Sequence, residues 1–107
     1  MAISGAALGA LFSSATVAAD GDPFVARHVL TEFSSREQVT YFAGVVEGLA
    51  YARYLADGKT TDGMSCVYDW FWKDTAILEE IHAALARRPD FPPGPLIGVL
   101  VDEACPR

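Results

Sequence analysis

The chain has 107 residues, of which 51% are apolar and 21% are charged, and its 14 acidic and 8 basic residues give a net charge of −6. This length accommodates one domain. A chain that is 51% apolar and 21% charged is too hydrophobic to be intrinsically disordered. The acidic balance argues against a nucleic-acid-binding protein, because contacts to phosphates need a basic surface.

The first segment, residues 1–19, contains no charged side chain and ends on the small residues Val17 and Ala19 before Asp20. This pattern is typical of a signal peptide that is removed on export. A buried first helix and a membrane anchor are the alternatives, but many Gly, Ser, Thr and Ala positions make the run a weak anchor. We therefore expect a periplasmic or secreted protein, with a single domain over residues 20–107 and no stable membrane anchor after cleavage.

The chain has two cysteines, Cys66 and Cys105. An even number in an oxidising compartment predicts one disulfide, which would close a loop of about 40 residues and stabilise the fold by roughly 4 kcal/mol. A metal site that adds His28 and His82 is the alternative, but zinc ligands usually occur with CxxC or HxxxH spacing, and neither is present. The sequence thus predicts a disulfide, with no metal and no cofactor.

Helical patterns cover the rest of the predicted domain. Asp22-Pro23 is typical of a helix start, and Val25, Val29 and Phe33 follow at every fourth position. The second helix is predicted over residues 36–56, where overlapping capping boxes precede it and a glycine follows it. Because this second helix is apolar on most sides, we expect it at the centre of the bundle.

One ridge of the second helix carries small residues at every fourth position, namely Thr40, Gly44, Gly48 and Ala52. Small side chains let a neighbouring helix approach closely, and Gly44 and Gly48 form the GxxxG pair that is typical of helix dimers in membranes. Glu47 on the same helix argues against a membrane setting. The ridge is therefore predicted to serve helix packing, either inside the bundle or in a homodimer.

Residues 57–66 are predicted to form a polar loop, which leads into an aromatic run over residues 68–72. The run has two interpretations: a hydrophobic cap that closes one end of the bundle, or an exposed patch of the kind that dominates binding energy. Under the second interpretation, the predicted contacts to a protein partner come from Tyr68, Trp70, Trp72, Asp57 and Asp62.

Two more helices are predicted over residues 75–87 and 95–104, separated by a rigid connector rich in proline. Cys105 lies one turn after Val101 and is expected to point at the same core. The predicted fold class is an all-α bundle of four helices, or five, with one disulfide.

The sequence predicts no enzymatic activity and no catalytic residue. Catalysis needs a nucleophile or a metal together with an oriented base. Ser65 lacks the G-x-S-x-G context, the two histidines belong to different predicted helices, and there is no glycine-rich phosphate loop.

Residues 41–48, YFAGVVEG, resemble the Y-[IV]-x-G-V-x-[DE]-[GA] helix of small periplasmic proteins in the type VI secretion amidase-immunity superfamily (Rap/Tai type). The resemblance spans residues 35–106 and continues through Cys66, Arg88-Pro89 and the terminal Cys105-Pro106. The sequence departs from the family at Gln38, where members commonly carry a further cysteine, and in ending on Cys-Pro where members have Pro-Cys. The resemblance implies a compact helical protein, often dimeric, that inhibits a peptidoglycan amidase.

A second resemblance, to HdeA-type acid chaperones, rests on export, size, helical content and a single disulfide. The 14 carboxylates would be neutralised on acidification, which removes charge from the surface. The sequence therefore predicts an exported immunity-like protein that binds a protein partner, a basic effector by charge complementarity. An acid-stress chaperone is the alternative.

Overall fold

The computed structural model describes residues 23–107, so the predicted signal peptide lies outside the described residues. This part of the chain forms five helices and no strand, which confirms the all-α bundle. In chain order they are α1 (Ala26–Glu32), α2 (Ser35–Ala56), α3 (Asp62–Lys73), α4 (Ile77–Arg87) and α5 (Pro93–Ala104).

Helix α1 begins later than the sequence predicts, three residues after Pro23. The backbone N–H of Ala26 donates to the carbonyl oxygen of Phe91 at 2.8 Å, and that of Arg27 donates to the carbonyl oxygen of Pro89 at 2.9 Å. The first N–H groups of a helix have no partner within the helix, and here the connector before α5 satisfies two of them. This contact between distant segments fixes where α1 starts.

Helix α2 ends at Ala56, as the sequence predicts, and begins one residue earlier than predicted, at Ser35. The Ser34 hydroxyl accepts from the backbone N–H of Glu37 at 3.2 Å, and the Glu37 carboxylate accepts from the backbone N–H of Ser34 at 2.8 Å. This reciprocal pair is a capping box. After the last turn Gly58 takes a φ of 70°, the left-handed conformation that glycine adopts without steric cost.

Helix α3 is where the structure differs most from the sequence prediction, because it begins inside the predicted loop at Asp62 and already contains Cys66. Gly63, in its first turn, is buried against α2. A Cβ atom at this position would overlap the side chains of Arg53 and Asp57. The polar and glycine-rich composition here thus serves a close contact between two helices, and the prediction of a loop up to residue 66 is wrong.

The other two helices have small shifts at their starts. Helix α4 begins at Ile77, two residues after the predicted start, because the Asp74 carboxylate accepts from the backbone N–H of Ala76 at 2.9 Å and forms a turn there. Helix α5 begins two residues early, with the buried Pro93 in its first turn. Proline suits this position because the first helical N–H has no partner within the helix.

All five helices contribute to one hydrophobic core. Its largest fully buried side chains are Phe42, Ile81, Leu85, Ile97, Val29, Val46, Val67 and Pro93. Cys66 of α3 is bonded to Cys105, which follows α5, and their Cα atoms are 5.9 Å apart. The predicted disulfide is therefore confirmed, and it ties the end of the chain to α3.

Arg53 reinforces this tie from α2. Its side chain is 12% exposed, and its Nε donates to the Asp57 carboxylate at 2.8 Å. The same guanidinium donates to the carbonyl oxygen of Cys105 at 2.6 Å and to that of Pro106 at 3.3 Å. One planar cation thus links the end of α2 to the residues that follow α5, and the fixed fork of arginine donors suits several acceptors at once.

Candidate functional site

Helix α3 divides the predicted aromatic patch between different surfaces. Phe71 is buried, Tyr68 and Trp70 are half-buried, and Trp72 is 63% exposed. Successive residues of an α-helix are about 100° apart around its axis, so adjacent aromatic side chains point in different directions. The interpretation as a hydrophobic cap therefore holds for Phe71, and the interpretation as an exposed patch holds for Trp72.

Trp72 lies at one end of an apolar groove that runs between α2 and α4. The main part of the groove has a volume of about 500 Å³ and is lined by Val39, Phe42 and Leu78 among others. A second depression of about 240 Å³ is also lined by Val39 and Leu78, and it adds Phe71 and Trp72. Because the two parts have wall residues in common, we treat them as one surface, the Trp72 groove.

The Trp72 groove has an apolar floor and a polar rim. Phe42 is buried in the floor, whereas Leu78 at the edge is 40% exposed. On the rim, the Gln38 amide donates to the carbonyl oxygens of α1 and of its C-terminal cap, at 3.1 and 3.3 Å, so it is already engaged within the fold. Glu79 and His82 are exposed on the α4 side of the rim. No lysine or arginine from residues 23–107 lines the groove.

Two of the other predicted binding residues lie beside the disulfide. Asp62 and Trp70 line a wide depression together with Cys66 and Asp69. Asp69 also forms an ion pair with Lys73 one turn later, with 3.3 Å between the Oδ1 and Nζ atoms. Exposed pairs of this kind contribute little to stability, so we interpret this acidic region as a solvated surface.

Tyr68 lies one turn before Trp72 on α3, where its side chain reaches Glu47 of α2. Its hydroxyl is 3.4 Å from the Glu47 carboxylate and donates to it. Desolvation and the nearby negative charge of Glu47, which also accepts this hydrogen bond, raise the pKa of Tyr68 above its usual 10.0. The remaining predicted residue, Asp57, is held by Arg53. The five predicted residues therefore do not form one surface. Trp72 lines the groove named after it, and the other four predicted residues lie outside that groove.

The small-residue ridge of α2 is exposed along its whole length, at Thr40, Gly44, Gly48 and Ala52. A Cβ atom added at Gly44 or Gly48 would have no heavy atom within 4 Å. Within residues 23–107 no helix packs on the ridge, because α2 uses its other faces to contact α3 and α5. The alternative prediction, a homodimer through this ridge, remains a prediction.

Sequence reasoning missed the groove and the residues on its α4 side. The sequence of α4 carries an apolar stripe of Ile77, Leu78, Ile81 and Leu85, with His82 at its edge. Ile77, Ile81 and Leu85 are buried as the stripe predicts, but Leu78 and His82, which are predicted to be buried and partly buried, are exposed. A stripe pattern gives the approximate direction of the core, but it does not show how far apart two helices lie.

Two other features, a membrane-spanning helix and a metal site, are absent from the described residues. Within residues 23–107, no helix is long and apolar enough to cross a bilayer. In the same range, no three His, Cys, Asp or Glu side chains converge in a way that could hold a metal ion. Comparisons with protein families, with curated proteins and with solved structures give no match to this chain.

Proposed function

We propose that this chain is an exported protein that binds a protein partner through the Trp72 groove and acts in the manner of an immunity protein. One observation carries the proposal: Trp72 is 63% exposed at the end of an apolar groove, with Leu78 exposed beside it. Contiguous exposed apolar surface, in contrast to a single exposed side chain, often marks a site of protein–protein interaction. Tryptophan is also among the residue types that dominate the binding energy of protein interfaces.

The charge of the surface supports a basic partner. The chain has a net charge of −6, and the rim of the groove carries Glu79 without any lining lysine or arginine from the described residues. Complementary charge accelerates the encounter of two proteins and disfavours acidic competitors. The Cys66–Cys105 disulfide is consistent with export into an oxidising compartment. The immunity role itself comes from the resemblance of residues 35–106 to the amidase-immunity superfamily.

The test compares Trp72→Ala with Tyr51→Ala, an exposed aromatic of α2 that lies outside the groove and is 59% exposed. The immobilised full chain and both variants are incubated with periplasmic extract, and captured proteins are identified by mass spectrometry. We expect one basic protein to bind the full chain and Tyr51→Ala equally. Its affinity for Trp72→Ala should be about 30-fold lower, the loss expected for a binding hot spot.

The captured protein is then purified and assayed for peptidoglycan amidase activity with and without the chain. Inhibition that is lost in Trp72→Ala supports the immunity-like role. Equal capture by all three forms would overturn the proposal. Protection of client proteins from aggregation at about pH 2–3, unaffected by Trp72→Ala, would favour the acid-chaperone alternative instead.

A further inference from the structure

A second apolar groove, which we call the Arg88 groove, lies between α4 and α5. It has a volume of about 630 Å³, and its wall includes Arg88, Phe91, Leu96, Val99 and Leu100. Phe91 is 51% exposed and Val99 is 58% exposed, so the groove concentrates apolar surface that no described segment covers. None of its wall residues belongs to the Trp72 groove.

The two ends of the Arg88 groove carry opposite charges. Arg87 and Arg88 lie at one end of the groove, at the C-terminus of α4 and the start of the connector to α5. Glu103 lies at the other end, eight residues beyond Pro95 on α5, which corresponds to about 12 Å along the helix.

The positive end is not neutralised by the acidic residue nearest to it in the sequence. Asp90 forms an ion pair with Arg27 of α1 instead. The guanidinium of Arg88 lies 5.3 Å from the centre of the Phe91 ring, which holds the cation beside the apolar wall. The groove is thus apolar in its middle, positive at one end and negative at the other.

An α-helix has the complementary distribution of charge, because its C-terminus carries a partial negative charge and its N-terminus a partial positive one. The wall residues of α5 recur at helical spacing, from Pro95 and Leu96 through Val99 and Leu100, and such rows accept the side-chain ridges of another helix. We propose that the Arg88 groove binds an amphipathic helix of a protein partner, about two turns long. Its carboxylate-bearing last turn lies at Arg87 and Arg88 and its first turn lies at Glu103.

The probe for this proposal is a pair of synthetic helical peptides, each held by a side-chain staple, with the same leucine stripe and the same composition. One peptide has two lysines in its first turn and two aspartates in its last turn, and the other has these turns exchanged. Each is titrated into the isotope-labelled full chain while the amide resonances of Leu96, Val99 and Leu100 are followed. We expect saturable shifts at these residues and an affinity about tenfold higher for the peptide with aspartates in the last turn.

Charge variants test the direction of the helix. Arg87→Glu combined with Glu103→Arg should reverse the preference between the two peptides. The matched control combines Arg36→Glu with Glu80→Arg, an exchange that also leaves the net charge unchanged but lies outside the groove, so it should leave the preference unchanged. If the double variant fails to fold, the comparison of the two peptides on the unmodified chain still decides the question.

Equal affinities for the two peptides, or shifts confined to other surfaces, would overturn the proposal. So would a groove that already has another occupant. Peptide-independent shifts at Val99 that grow with protein concentration would identify a second copy of the chain. Resonances at Val99 that move when residues 1–19 are removed would identify the chain's own first segment. The Trp72→Ala variant should bind the peptides normally, so this inference and the proposed function can fail separately.

Discussion

Gly63 and Gly44 are both helical glycines, and their surroundings predict opposite effects of the same substitution. At Gly63 a Cβ atom would overlap Arg53, whose guanidinium is held by the chain terminus, so we expect Gly63→Ala to destabilise the fold by about 1–3 kcal/mol. At Gly44 a Cβ atom meets no neighbour, so Gly44→Ala should stabilise α2 by about 0.5–1 kcal/mol. Urea denaturation of both variants measures the difference, and effects of the same sign would contradict it.

The raised pKa of Tyr68 predicts that the protein becomes less stable in alkali. Desolvation and the Glu47 carboxylate raise its pKa in the folded protein above 10.0, the usual value in the unfolded chain. Above about pH 10 the unfolded state therefore loses its proton first, and the free energy of unfolding falls as the pH rises further. We expect this alkaline loss of stability to be smaller in Tyr68→Phe than in the unmodified chain, as measured by urea denaturation across this pH range.

A variant of the neighbouring carboxylate separates the two causes of this pKa shift. Glu47→Gln should lower the pKa of Tyr68 towards its usual value, and the ultraviolet absorbance of tyrosinate reports the change. Glu103→Gln removes the same charge from a carboxylate that is neither a hydrogen-bond partner of Tyr68 nor a cause of its pKa shift, and it serves as the control. An equal effect of both variants would mean that overall charge, and not the contact of Tyr68 with Glu47, determines the shift.

At the scale of the helices, the disulfide is expected to hold the end of α5 in place. Replacing both Cys66 and Cys105 by serine should lower the free energy of unfolding by about 4 kcal/mol, because the unfolded chain regains the entropy of a loop of about 40 residues. Hydrogen exchange should show faster exchange in the last turn of α5, with α2 less affected. An unchanged exchange rate there would mean that other contacts hold α5.

Arg53 is the second connection between α2 and the chain terminus. Arg53→Ala removes hydrogen bonds to the carbonyl oxygens of Cys105 and Pro106 and leaves the Asp57 carboxylate without its partner. We expect a loss of about 1–3 kcal/mol in the free energy of unfolding. Arg36→Ala, an exposed arginine near the other end of α2, should change it by less than about 0.5 kcal/mol and is the matched control. Equal losses would contradict this role of Arg53.

At the scale of the whole molecule, the pattern of residues 1–19 predicts a signal peptide that is removed on export and is not part of the mature fold. We therefore expect a chain that begins at Asp20 to unfold with the same free energy as the full chain, within about 0.5 kcal/mol. Urea denaturation of the two forms measures this. A loss of more than about 1 kcal/mol on shortening would favour the alternative in which the first segment is a buried helix of the bundle.

The distribution of exposed apolar side chains also belongs to this scale. Trp72 and Leu78 lie at one groove, and Phe91 and Val99 at another. Because the two grooves have no wall residue in common, two partners, or two segments of one partner, could bind at the same time. This arrangement depends on the gap between α4 and α2 on one side and on how α4 packs against α5 on the other.

Features that depend on residues close together in the chain were predictable before any helix was packed. The capping box at Ser34, the glycine stop at Gly58 and the end of α4 before Pro89 follow from backbone groups satisfied within a few positions. The fold class and the disulfide were also predictable, since apolar periodicity and an even number of cysteines do not depend on the details of packing.

The faces by which the helices meet were not predictable in this way, because they depend on contacts between segments that are far apart in the chain. The sequence predicts Gly63 in a loop, whereas the structure places it in α3 against α2. The sequence also predicts that the small-residue ridge serves helix packing, whereas no helix of the described chain covers it. The exposure of Trp72 and the two grooves likewise depend on the distances between helices that are far apart in sequence. Periodicity shows that a helix has an apolar face, but the extent to which that face is covered depends on the helices that pack against it.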